Sequence, residues 1–184
     1  MTEAEWLAST DPGEMVAFLW RVRTDRKWRL FEVACCHRVW DALTSPESRA
    51  AVVAAELYAD GRVTDAELEV VANRVADIWE AEIDQLRNAG VPDHEIGGAL
   101  DPPLMSGVAY NVALPIGWWG GAPAFEPPSR IIRAAAPDPV REGESQAVLL
   151  RDVFGNPFRP VAVEPAWRTE AVVGLARGVY DDRA

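Results

Sequence analysis

Basic side chains are scarce in this sequence and lysine is nearly absent. Lys27 is the single lysine among 18 basic residues, against 29 acidic ones. The resulting formal charge of −11 excludes a phosphate-backbone partner, which needs clustered Lys and Arg, so no nucleic acid is expected. The near-exclusive use of arginine carries no functional reading of its own. Cysteine occurs only as the neighbours Cys35 and Cys36. Bridging adjacent residues would strain the backbone badly, which rules out a disulfide framework and leaves thiols suited to a reducing compartment. No stretch reaches the roughly 20 apolar residues needed to cross a bilayer. The start, "MTEAEWLASTDPGE", is acidic and built like a capped helix, with no basic segment leading into an apolar run. No membrane association is expected, and the expected location is the cytoplasm.

What is present suits a folded body. The 184 residues, 49% hydrophobic and 26% charged, match one domain with a real core. Eight tryptophans imply large buried contacts or a few exposed rings. The first half reads as helices with clear punctuation. Asp11, Pro12 and Glu14 read as cap, first turn and capping box of one helix. Asp25 opens another, "DRKWRLFEVACCHRVWDAL". Trp28, Phe31, Cys35, Val39 and Leu43 form one stripe on it; Leu30, Val33, His37 and Trp40 form a second. A helix apolar around so much of its girth should sit centrally in the core. Arg29, Glu32 and Cys36 fall on its remaining polar face, where Cys36 is expected to be exposed. Ser45 and Pro46 start a third helix that Gly61 ends. Thr64 with Glu67 caps the longest one, on which Leu68, Val71, Val75, Trp79, Ile83 and Leu86 recur at helical spacing before Gly90 closes it.

From Val91 the texture changes to dense Gly and Pro, which prohibit long regular elements. A short helix is expected at "SRIIRAAA" and a Pro-rich linker at 137–139. The last third returns to helix: "EGESQAVLLRDV", a short extended piece near 160–164, and an amphipathic helix capped by Thr169. The expected fold is mainly α, one globular unit. A helical N-terminal bundle spans 1–90, an irregular Gly/Pro/Trp-rich segment 91–140, and C-terminal helices packing back on the bundle 141–184.

"LLRDVFGNPFRPV" at 149–161 could be a site or a corner. Gly155 is placed to take the left-handed conformation that ends a helix, and Pro157 forbids continuation. Phe158 falls where a contact back onto the helix end is expected, and Pro160 stiffens the exit. Turn chemistry explains every residue type, so a corner is the better account. As a binding reading, Arg151 and Arg159 would clamp an anion or carboxylate beside the two rings.

Few constellations suggest chemistry. "ELYADGRVTDAEL" matches the second half of a calcium loop, with Asp60, Gly61, Val63 and Glu67 in register. Tyr58 stands where a carboxylate is needed, and two abutting capped helices give the same spacing. Cys35, Cys36, His37 and His94 could supply four zinc ligands. Consecutive helical residues point about 100° apart, however, and core packing explains them better, so no metal is expected. Nothing resembles a phosphate-cradling glycine loop, a nucleophile elbow or a paired-histidine metal helix. No cofactor is implied and no catalytic residue can be selected. The best binding candidate is "PIGWWGGAPAFEPP", where Trp118 and Trp119 sit between glycines with Phe125 beyond; the rings either meet a partner or tuck under the loop.

The motifs "DRKWRLFEVACCHRVW", "AELYADG" and "LLRDVFGNPFRPV" resemble a large paralogous family of uncharacterised bacterial proteins. The resemblance extends to "PAW" and "VVGLARGVYDDRA" and spans about two-thirds of the residues. It implies helical architecture and supplies no activity. Relatives carry an alanine-rich helical middle in place of the Gly/Pro/Trp segment and continue past the final "RA" into another helix. Without that continuation, the resemblance implies that the last helix exposes a face and seeks a partner. The leading functional expectation is a non-enzymatic protein-interaction or regulatory module, acting through the middle loop or the C-terminal helix. Two alternatives stand beside it: a hydrolase-type enzyme with carboxylates in a cleft near Trp118 and Trp119, and a degenerate calcium-responsive helix pair at 56–67. Oligomeric state does not follow from the residues.

Overall fold

The computed structural model describes residues 1–19, 25–92, 96, 105–114, 127–160 and 164–181. Among these the protein is mainly α, with no strand. The helices are α1 (Glu3–Ala8), α2 (Pro12–Leu19), α3 (Asp25–Arg38), α4 (Pro46–Ala59), α5 (Asp65–Asn88), α6 (Met105–Ala113), α7 (Pro128–Ala135), α8 (Pro139–Phe154) and α9 (Glu170–Asp181). Short 3₁₀ turns cover Trp40–Ala42 and Pro165–Trp167. No helix among the described residues is long and apolar enough to cross a membrane.

Local chemistry sets most helix ends. Thr2 with Glu5 and Thr64 with Glu67 form reciprocal capping boxes on α1 and α5. Ser45 caps α4 through the Ser48 amide, and Asp138 caps α8 through the Val140 and Arg141 amides. The stretch expected as a linker at 137–139 does join α7 to α8, and its last residue, Pro139, already lies in the first turn of α8, where a missing N–H costs nothing. On α2 the Asp11 carboxylate accepts from Gly13 N at 2.9 Å. The expected box with Glu14 is replaced by Ser9 Oγ, which accepts from the Asp11 amide at 3.2 Å.

Helix α3 is the axis of the body and packs against α4, α6, α7 and α8. Phe31, Cys35, Leu43, Val52, Val75, Val108, Ile132 and Leu150 around it are buried. It ends at Arg38, short of the Leu43 that the apolar stripe suggested, and a 3₁₀ turn follows. Helix α6 arises within the Gly- and Pro-dense stretch after Val91, where regular structure was hardest to read. Gly107 explains how it seats: a Cβ there would lie 3.0 Å from the Trp79 indole nitrogen of α5, so glycine permits the close approach. The Trp79 ring in turn stacks on Tyr110, with centroids 5.6 Å apart.

The corner after α8 ties the C-terminal part to the N-terminus. Phe154 meets Trp28 edge-on at 4.9 Å. Phe158, expected to fold back on its own helix end, stacks instead on Phe18 of α2 at 5.2 Å. The sole lysine, Lys27, donates to the Phe154 carbonyl at 3.1 Å. Gly155 has φ 72° and ψ −154°, so it departs from the expected left-handed helical geometry. It occupies instead a region essentially confined to glycine. The extended piece near 160–164 falls largely on residues outside those described.

A Cβ at Gly155 would have nothing within 4 Å, so substitution there isolates backbone strain. Gly155→Ala should lower unfolding free energy by about 1–3 kcal/mol in urea titration. Gly174→Ala, in the middle of α9 and equally free of contacts, should cost nothing. Equal behaviour of the two variants would contradict the turn geometry.

Candidate functional site

The polar face of α3 is where the structure departs most from expectation. Arg29 is 3% exposed, Glu32 2% and Cys36 0%. The expectation that Cys36 is exposed is corrected: α3 is covered on so many sides that its polar row lies inside. His37, read as part of a core stripe, is exposed. It stacks on Trp40 at 4.9 Å and places Nε2 3.6 Å from Glu56 Oε2.

Arg29 donates to the carbonyls of Val112 at 2.6 Å and Leu114 at 3.0 Å. These are end carbonyls of α6, and a cation at a helix C-terminus meets both the open acceptors and the negative end of the dipole. The guanidinium carbon also lies 4.8 Å from the Tyr58 ring centroid, a cation–π contact. Burial lowers the Arg29 pKa.

Glu32, three residues on, does the converse for α7. The N-cap residue of α7 is Pro127, which supplies no side-chain cap. The Glu32 carboxylate accepts from Ser129 N at 2.7 Å and Ser129 Oγ at 2.8 Å, so α3 provides the missing cap across space. Burial pushes the Glu32 carboxyl up to about 7, against the two Ser129 hydrogen bonds that lower it. Around this contact, Gln146 of α8 donates to Ser129 O at 2.9 Å and Glu142 Oε1 at 3.1 Å. Arg38 then holds Glu142 through both oxygens, at 3.0 Å and 2.8 Å.

Arg29 and Glu32 therefore fasten Leu114 and Ser129, the two sides of the stretch carrying Trp118, Trp119 and Phe125. Those three candidate binding residues lie outside the described residues, as does His94. Arg151 and Arg159 both act on the N-terminal end of the molecule. Arg151 donates to the Ser9 and Trp6 carbonyls at 2.8 Å and 3.2 Å. Arg159 Nε lies 2.6 Å from Glu3 Oε1, which also accepts from Asn156 at 2.7 Å. The Asn156 hydrogen bond, joined by Arg159, holds the Glu3 carboxyl below its usual range. The two arginines thus do not converge on one acceptor.

At 56–67, Asp60 pairs with Arg26 at 2.6 Å. The Glu67 carboxylate accepts from Thr64 N and Oγ1 at 2.9 Å and 2.8 Å. Among the described residues no group of three or more His, Cys, Asp or Glu could hold a metal ion. A helix apolar over most of its circumference has no wet side left for Arg29 and Glu32. That was the signal available in the sequence for the buried row. Comparison with protein-family models, curated proteins and solved structures gives no match.

Both thiols are fully buried, and burial, followed by the Glu32 charge, pushes each well above its ordinary value. A neutral, enclosed thiol is a poor nucleophile. Cys35 and Cys36 should therefore react with an aromatic disulfide reagent only as fast as the body unfolds, with urea accelerating both together. Rapid labelling of either in native protein would contradict the packing.

Proposed function

We propose that this protein is a non-enzymatic interaction module whose contact element is α9. One observation carries the reading. Val172, Leu175 and Val179 recur on one helical stripe at 54%, 72% and 50% exposure, with Trp167 also exposed just before the helix. Every residue from Glu170 to Val179 is exposed, whereas α1 to α8 each bury side chains in the body. Apolar side chains repeated at i, i+3 and i+7 are how an amphipathic helix anchors in a partner's groove. Glu170 and Arg177, seven residues apart, share the opposite side.

The charge of that side favours a protein over a membrane. Helices that lie on membranes carry a Lys- and Arg-rich polar face, whereas Arg177 is the single basic residue of this one. The occupant is thus a protein with an apolar groove, bound through burial of the stripe and not through electrostatic attraction. The buried row on α3 fits the same reading, because it serves to hold the body's shape.

Pairing Leu175→Asp with Val179→Asp should leave the body intact, with unfolding free energy within about 0.5 kcal/mol of wild type. A partner captured from cells by the wild-type chain, purified and titrated in isolation should bind the double variant at least about tenfold more weakly. Undiminished binding would reject α9 as the contact. Loss of self-association or of vesicle binding in its place would assign the face to a second copy or to lipid.

A further inference from the structure

Helix α7 is two turns long, starts on consecutive prolines and has no side-chain cap of its own. Helices this short are marginal in isolation, so its persistence depends on what grips it. The grip is concentrated at Ser129. Its amide and hydroxyl go to Glu32 of α3, and its carbonyl accepts from Gln146 of α8. Arg133 adds a pair with Asp11 at the surface, and Ile132 is buried.

We propose that Glu32 is a protonation-controlled clasp: its neutral form keeps α7 docked on α3, and its ionisation promotes release of α7. The geometry suits both proton states. Ser129 Oγ lies 2.8 Å from Oε1 and can donate to a carboxylate or accept from a carboxylic acid, while the Ser129 amide donates to Oε2 in either case. What differs is the cost of burying the charge.

Among the described residues Glu32 forms no ion pair, and its partner is Ser129. Arg29 and Arg38, the basic side chains flanking it on α3, are turned to the α6 carbonyls and to Glu142. Cys35 and Cys36 on α3 are neutral thiols, raised first by burial and then by the Glu32 charge. From α8 come Gln146 and, behind it, the Arg38-paired Glu142. The titratable side chain of α6 is Tyr110, stacked on Trp79, and on α4 Glu56 faces His37. Ionised Glu32 is therefore stabilised within the body chiefly by Ser129, and lifting α7 exposes it to water.

The sign follows from linkage. The carboxyl sits at about 7 when α7 is docked, against 4.5 ordinarily. The docked state therefore binds more protons than the open one between these values. Stability from the clasp is complete below about 4.5 and is lost as pH rises through about 7.

Hydrogen exchange, corrected for the intrinsic pH dependence of amides, tests this on the full chain. The opening equilibrium of 129–136 should rise roughly thirtyfold from about pH 5.5 to about pH 8.5, with protection in α4 changing far less. Glu32→Gln, a neutral isostere, should flatten the profile. Ser129→Ala removes a hydrogen bond that favours the charged form, so it should move the midpoint to higher pH. A carboxyl ¹³C titration of Glu32 should show its midpoint near 7. An ordinary carboxylate midpoint, or a pH profile unchanged by both variants, would overturn the proposal. Parallel loss of protection in α4 and α7 would overturn release of α7 as a local event.

Discussion

Burial of the Arg29–Glu32 row on α3 is the constraint on which the arrangement of the other helices depends. Removing a charged group from water is costly unless its polar atoms are satisfied. Here satisfaction comes from helix ends, the one place in a helical protein where backbone donors and acceptors stand open. Arg29 takes the carboxyl end of α6, and Glu32 takes the amino end of α7. A shift of either helix by one turn would strand a buried polar group, so the pair sets register as well as contact. This gives a helical body held by directional bonds in addition to apolar packing.

A second fastening joins the end of α8 and the corner after it to the N-terminal helix. Arg151 occupies carbonyls at the end of α1, while Asn156 and Arg159 share Glu3 at its beginning. Lys27 closes the end of α8 by taking the Phe154 carbonyl. The same logic recurs: a basic side chain meets helix-terminal acceptors, and aromatic rings seal the joint through Phe154 with Trp28 and Phe158 with Phe18. Motifs that look chemically suggestive in one dimension therefore act as joinery. Helix α9 differs, because its apolar stripe faces water.

Polar groups inside such a body have more than one use. A carboxyl that caps a helix by tertiary contact is stabilising through its bonds and destabilising through its charge, and pH weighs one against the other. The thiols beside it feel the same enclosure and stay neutral. Reactivity and shape thus draw on one physical quantity, the cost of charge away from water.

The sequence by itself determined the helical class and most helix ends, because capping boxes, first-turn prolines and glycine turns act within three or four residues. Ser45, Thr64 and the place of Gly155 at a helix end were legible for that reason. Only the tertiary structure decided which face of α3 is inside, since covering a helix on several sides depends on partners distant in the chain. Arg29 reaches carbonyls 83 and 85 residues away, and Glu32 a serine 97 residues away. Nothing local encodes such pairings, so Arg29, Glu32 and Cys36 read as a wet face. Helix α6 escaped notice because its glycine, a breaker by propensity, gains its value from the Trp79 ring packed against it.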